Sequence, residues 1–219
     1  MDYKNARKAM VDSQIHPMGV SSDAILKAFS DIPREVFVPS SLKDVCYVDE
    51  DLQVAKGRYL MEPSVFARLV QEASIGKEDA VLTIGSGIGY NAAVLSQLCG
   101  TVVALEENDD LVKSAQQSWD TLSLSNIAAI SGALSNGAPE YAPYDIIIFN
   151  GAINNLPANI RDQVKEGGRI LAILREDDLG LAKATLFEKT DSENLSKRVL
   201  FEAGTPYLQG FAPIKEFVF

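Results

Sequence analysis

The run Ala80-Val-Leu-Thr-Ile-Gly-Ser-Gly-Ile-Gly-Tyr-Asn-Ala-Ala-Val-Leu95 restricts the fold of this chain more than any other stretch. An apolar strand pattern passes into three alternating glycines, Gly85, Gly87 and Gly89, and then into an apolar-periodic helix. Glycine lacks a Cβ and enters positive φ freely, so this spacing predicts a tight strand-to-helix turn that a ligand can approach closely. The helix that follows offers its free N–H groups and the positive end of its dipole to the turn. A nucleotide-like cofactor is the ligand such a turn suits.

From residue 80 onward strands and helices alternate. Strands are expected at Ala80–Ile84, Thr101–Leu105, Ile127–Ser131, Tyr144–Phe149 and Gly168–Leu174, with the clearest helices at Asn108–Leu122 and Pro157–Val164. Trp119 falls on the apolar face of the first of these helices and is expected in the core. Alternation of this kind predicts an α/β fold, a Rossmann-like doubly wound and mostly parallel sheet with helices on both faces. After Leu174 the pattern changes to two strands, Leu181–Lys189 and Lys197–Ala203, joined by the polar turn Thr190-Asp-Ser-Glu-Asn194. That hairpin predicts an antiparallel C-terminal strand, the ending that separates a class I methyltransferase-like sheet from a plain dinucleotide fold.

Ahead of the sheet the chain reads as helical. A helix is expected over residues 3–15, and a second after Ser21-Ser22-Asp23 carries Ile25, Leu26 and Phe29 at helical spacing. Pro33 and Pro39 break regular structure, the segment from Cys46 to Glu62 reads as a long loop, and Pro63 opens a further helix. The division this suggests is an N-terminal helical subdomain with a site loop over 1–62, and a cofactor-binding domain over 63–219.

A formal charge of -10, from 30 acidic against 20 basic residues, repels phosphate backbones and anionic surfaces, which argues against nucleic acid and membrane as partners. No apolar run approaches the ~20 residues of a membrane span, and the start Met1-Asp-Tyr-Lys-Asn lacks a signal-peptide pattern, so a cytoplasmic location is expected. The two cysteines, Cys46 and Cys99, have no metal spacing, and the one histidine, His16 beside Pro17, reads as a loop residue. Zinc sites and histidine triads are poorly supplied.

Glu106 ends the strand pattern Thr101-Val-Val-Ala-Leu-Glu106, about 20 residues beyond the glycine turn, where an acid takes ribose hydroxyls. Its other reading is a solvated residue capping the next helix, a task that Glu107, Asp109 and Asp110 could do equally well, so turn and acid together favour the cofactor. The dinucleotide fingerprint is Gly-x-Gly-x-x-Gly, whereas here Tyr90-Asn91 stands where its third glycine would fall. The closer spacing and the terminal hairpin suit S-adenosylmethionine, which carries an amino acid in place of a pyrophosphate, and argue against a hydride-transferring dehydrogenase.

Four segments carry a resemblance: Pro33-Arg-Glu-Val-Phe-Val-Pro39, the stretch from Gly57 to Glu62-Pro63, Ile84-Gly-Ser-Gly-Ile-Gly-Tyr-Asn-Ala-Ala-Val-Leu95, and Lys165-Glu-Gly-Gly-Arg169. From the N-terminal helices to about residue 174 the chain resembles the protein-L-isoaspartate O-methyltransferase family. The resemblance implies methyl transfer from S-adenosylmethionine to the carboxylate of an isomerised aspartyl residue, with isoaspartyl-containing proteins or peptides as partners. A carboxylate is already nucleophilic at neutral pH, so the reaction asks for alignment and exclusion of water more than for a strong base.

The chain also departs from the family pattern. The family loop usually reads Gly-Gln-Thr-Ile-Ser-Gln-Pro, and here it is Gly57-Arg-Tyr-Leu-Met-Glu-Pro63. Met61 stands at the serine position and Tyr59 at the threonine position, so Arg58, Tyr59 and Met61 become the candidate acceptor-site residues, Arg58 pairing either with an acceptor carboxylate or with Glu62. The acid that commonly precedes the glycine turn is Thr83, and the aspartate that accepts from adenine is replaced by Ala133. The expected cofactor residues are Thr83, Gly85, Ser86, Gly87, Gly89, Tyr90, Asn91, Glu106, Glu107, Gly132, Ala133, Leu134 and Asn150. Two alternatives stand beside an isoaspartyl enzyme: methylation of a small molecule, and a cofactor-binding protein without transferase activity. A monomer or weak homodimer is expected.

Overall fold

The structure is a computed structural model that describes residues 1–176, 181–191 and 194–213. The first helix, α1 (Tyr3–Met10), is capped by Asp2, whose carboxylate accepts from the Asn5 N–H. It does not run unchanged to residue 15: Val11–Ile15 widen into a π turn and His16–Met18 tighten into a 3-10 turn, which Gly19 ends at φ 89°. Next come α2 (Asp23–Asp31) and α3 (Arg34–Phe37), the latter a single turn held between the two prolines where irregular chain was expected.

The expected loop from Cys46 to Glu62 contains an antiparallel hairpin, β1 (Leu52–Ala55) and β2 (Arg58–Leu60), that turns at Lys56-Gly57. Both strands are too short to show a period of two, which is why the sequence hides them. Then α4 (Pro63–Ala73) leads into the alternating region: β3 (Ala80–Ile84), α5 (Tyr90–Ser96), β4 (Thr101–Glu106), α6 (Asp109–Thr121), β5 (Ile127–Ser131), β6 (Tyr144–Ile153), α7 (Ala158–Arg161), β7 (Val164–Leu174), β8 (Lys183–Lys189) and β9 (Leu195–Glu202). Asn108 caps α6 by accepting from the Asp110 and Leu111 N–H groups. The helix expected over Pro157–Val164 shrinks to the one turn of α7, because Val164 already pairs with Tyr144 as the first residue of β7. Of the polar turn expected at 190–194, residues 192–193 lie outside the described residues.

Among the described residues, seven strands form one sheet in the order β5-β4-β3-β6-β7-β8-β9. The first five are parallel, β8 runs antiparallel to β7, and β9 closes the edge antiparallel to β8. This is the α/β, mostly parallel architecture the alternation predicts.

Alternate residues of each central strand serve opposite faces. Val81, Val102, Ala104, Ile146 and Ile148 join one core with Phe29, Phe66, Tyr90 and Trp119 from the helices. Leu82, Ile84, Val103, Leu105, Ile147 and Phe149 join the other core, where the cover is thinner. There the cover comes from short turns at 134–136 and 139–141, from α7 in place of the longer helix expected at Pro157–Val164, and from chain beyond β9 that brings in Leu208 and Phe211.

Candidate cofactor crevice and acceptor loop

The glycine turn and the acid at the end of β4 meet at the carboxyl ends of adjacent parallel strands, where open α/β sheets bind their ligands. The N–H groups of Gly85 and Ser86 both donate to the Leu105 carbonyl, at 2.9 and 3.0 Å, which ties the turn to β4. The Gly87 N–H donates to Glu106 Oε2 at 2.9 Å. Glu106 is fully buried, and its Oε1 also accepts from the N–H groups of Glu107 (2.9 Å) and Asn108 (3.0 Å). The carboxylate therefore caps the chain entering α6 and braces the glycine turn as well.

Its remaining capacity is taken by Arg58. The guanidinium Nε lies 2.9 Å from Glu106 Oε2 and Nη2 lies 2.8 Å from Oε1. Nη2 also reaches Glu107 at 2.9 Å, and Nη1 donates to the Gly57 carbonyl and to Gln209 Oε1. Burial acts to lower the Arg58 pKa, but the hydrogen bonds and charges of Glu106 and Glu107 outweigh it and the net shift is upward. Two-point pairing of this kind is the strong form of an arginine–carboxylate contact. Arg58 thus pairs with Glu106 across 48 residues of sequence rather than with Glu62, and it offers no free edge to an acceptor.

The other acceptor-loop candidates are placed as follows. Tyr59 is half-buried in β2 opposite Gln53, and Met61 is 1% exposed within the larger core. The Met61 carbonyl accepts from Arg34 Nη2 at 2.8 Å. Arg34 itself is fully buried beneath the loop; its Nε donates to the Cys46 carbonyl at 2.7 Å and its guanidinium lies 4.9 Å from the centre of the Tyr90 ring. Burial lowers its pKa. Arg34 anchors the loop at two carbonyls, a role the sequence reading missed even though the residue sits in the quoted Pro33–Pro39 run.

Three glycines leave room that neighbouring residues fill. A Cβ on Gly85 (φ 74°) would meet Leu208 Cδ1 at 2.5 Å, one on Gly151 would meet Leu208 Cβ at 2.9 Å, and one on Gly57 would meet Gln209 Oε1 at 2.8 Å. Leu208, 2% exposed, therefore sits in the turn where close approach by a ligand was expected. Gly89 serves packing instead: a Cβ there would lie 2.7 Å from both Trp119 and Ala115, and the Trp119 Nε1–H donates to the Gly89 carbonyl. Trp119 is in the core, as its helical spacing predicts. The Tyr90 side chain also turns away from the crevice, packing edge-on against Phe37 with ring centres 5.7 Å apart.

Thr83, Asn91 and Asn150 form one buried chain of hydrogen bonds beside the turn. Asn91 Nδ2 donates to Asn150 Oδ1 at 2.8 Å, and Asn150 Nδ2 donates to Thr83 Oγ1 at 2.6 Å. Ser86 is buried next to them. On the far side, Gly132 donates through its N–H to the Glu106 carbonyl, Ala133 is exposed, and Leu134 is buried in the second core. Gly132 and Ala133 border a cavity of about 240 Å³ that Leu105, Ile130 and Tyr141 also line.

The family model described as "Protein-L-isoaspartate(D-aspartate) O-methyltransferase (PCMT)" matches residues 5–203. The chain belongs to this family. The protein-L-isoaspartate O-methyltransferase of Methanoculleus marisnigri is 34% identical over 169 residues, covering 77% of each chain. Protein-L-isoaspartate O-methyltransferase 1 of Geotalea uraniireducens is 35% identical over 165 residues, covering 75% of each. A solved protein-L-isoaspartate O-methyltransferase superposes with a TM-score of 0.82 at 30% identity; the match covers 93% of this chain and 66% of that one. A putative family member from Plasmodium falciparum, solved in complex with S-adenosyl-L-homocysteine, superposes at 0.78 with 16% identity over 95% and 99% of the two chains, a likeness of fold.

The family's cofactor is S-adenosylmethionine. A buried carboxylate at a strand end is an acceptor suited to ribose hydroxyls, and the Gly85, Ser86 and Gly87 N–H groups, which donate to Leu105 and Glu106, fix the glycine turn beside it. In the arrangement described, Arg58 pairs with both Glu106 oxygens and Leu208 packs against Gly85, while the space beside Gly87 is open.

Proposed function

We propose that this chain is an S-adenosylmethionine-dependent O-methyltransferase acting on the carboxylate of L-isoaspartyl residues in proteins. The observation that carries the reading is the family match over residues 5–203, which spans both the glycine turn and Glu106. The cofactor supplies the methyl group; the chain's part is to bind, align and keep water out. Arg34 supports that part by fixing the acceptor loop at the Cys46 and Met61 carbonyls. The free, buried Cys46 and Cys99 suit a reducing cytoplasm.

The test is transfer of labelled methyl from S-adenosylmethionine to an isoaspartyl peptide and to its aspartyl twin. Labelling of the first alone supports the reading, and labelling of neither overturns it. One observation favours a second reading. Glu106 already accepts from Arg58 and from three backbone N–H groups, as in a family member that has exchanged the cofactor for an internal ion pair. Absence of S-adenosyl-L-homocysteine binding, even after the crevice is opened by mutation, would single out that reading.

A further inference from the structure

Three arginines lie around the acceptor loop, and two of them are spent. Arg58 pairs with Glu106 and Glu107, and Arg34 is buried with its donors on the Cys46 and Met61 carbonyls. The third, Arg175, directly follows β7 and keeps most of its donors. Its backbone is fixed: the N–H donates to the Ile153 carbonyl at 3.0 Å, and its own carbonyl accepts from the Tyr207 hydroxyl at 2.8 Å. The guanidinium lies 5.4 Å from the centre of the Tyr207 ring, and Nη2 donates to the Gly204 carbonyl at 3.2 Å. Among the described residues no carboxylate comes within ion-pairing distance of it, Nη1 meets no protein acceptor, and Nε is buried without one.

Arg175 reaches the acceptor loop through Asp51. The Asp51 carboxylate accepts from the Glu62 N–H at 2.9 Å, next to Met61, and the charges of Arg34 and Arg175 both favour its ionised form against burial. Arg175 also opens on a cavity of about 230 Å³ that Leu181, Ala182, Glu202, Ala203 and Gly204 line. Small residues leave this room: a Cβ on Gly204 would meet nothing within 4 Å. Glu202 borders the cavity without pairing with Arg175. In a chain of formal charge -10, a cation with surplus donors at the edge of such a space is a site for an anion.

We infer that Arg175 receives the carboxylate of the isoaspartyl acceptor through Nη1, while Tyr207 and Gly204 hold the guanidinium in place. The inference rests on the isoaspartyl reading above and adds to it the residue that selects the acceptor by charge. An isoaspartyl residue within a chain carries one free carboxylate, its α-carboxylate, and this is the group to be methylated. Contact through one oxygen leaves the other to attack the methyl carbon. The guanidinium stays protonated throughout and enters no covalent bond, so its part is to bind and orient.

The test is calorimetric titration of an isoaspartyl peptide and of its isoasparaginyl counterpart, in which an uncharged amide replaces that carboxylate. The wild-type protein, Arg175→Met and Arg175→Lys are compared, each saturated with S-adenosyl-L-homocysteine. Arg175→Lys keeps the charge and most of the stem, so it serves if Arg175→Met folds poorly. The expected result is wild-type binding about tenfold tighter to the carboxylate peptide, a preference that Arg175→Met abolishes and Arg175→Lys keeps in part. Binding of S-adenosyl-L-homocysteine is expected to be the same in all three proteins. A wild-type protein without the preference, a preference unchanged in both variants, or an equal loss for both peptides would overturn the assignment while leaving the isoaspartyl reading standing. Failure of the wild-type protein to bind S-adenosyl-L-homocysteine, or to bind either peptide, would overturn that reading, and the assignment with it.

Discussion

Arg58 and Glu106 lie 48 residues apart and form a two-point ion pair whose side chains are 3% and 1% exposed. It joins the acceptor loop to the end of β4 at the place where the sequence predicts a ribose. The pair decides how the site is read, because one carboxylate cannot serve a guanidinium and a ribose together.

Removing one partner of that pair leaves a buried charge without its counterion. Arg58→Met is expected to cost about 3 kcal/mol of unfolding free energy, the low end of the range for broken buried pairs, since Glu106 keeps its three backbone N–H donors. Adding Glu106→Gln removes the stranded charge. The double variant is therefore expected to lose less than the sum of the single variants, with a coupling of roughly 1–3 kcal/mol measured by urea denaturation.

Two glycines with positive φ separate backbone strain from packing. Gly167 (φ 73°) has nothing within 4 Å of a Cβ, so Gly167→Ala carries only the left-handed backbone cost of about 1–2 kcal/mol. Gly89 (φ 85°) bears the same strain and would also press its Cβ into Trp119. Gly89→Ala is expected to lose a further 1–3 kcal/mol or so from overpacking, with a shift in Trp119 fluorescence that Gly167→Ala does not show.

Burial pushes the Cys99 thiol up to about 12 and the Cys46 thiol up to about 11, from an ordinary 9.0. Both groups then favour the folded state fully below about pH 9. As pH rises toward 11–12, the unfolded chain loses thiol protons that the folded chain retains, so stability falls across that window. Thiol reagents at pH 8 are expected to leave the native protein unlabelled and to label it after denaturation. Replacing both cysteines by alanine is expected to flatten part of the alkaline decline relative to wild type.

The parallel sheet was legible because β3, β4 and β6 are apolar runs bounded by turn residues, whereas the cap of α6 is Asn108 and not one of the neighbouring acids. The hairpin at 52–60 was not legible, since its strands span four and three residues and show no period. Glu106 was found as the strand-end acid, but its partner was not. Arg58 has a nearer carboxylate in sequence at Glu62, and the preference for Glu106 is set by how β2 lies over the end of β4. Leu208 was missed for a related reason: a leucine in an irregular stretch carries no signal of the distant glycine whose space it fills.

A crystal of the protein grown with S-adenosyl-L-homocysteine tests the central claim most directly. The account expects the ligand over Gly85–Gly87, its ribose on Glu106 and Arg58 turned away. A crevice without ligand that still holds Arg58 on Glu106, in crystals grown at millimolar ligand, would contradict it.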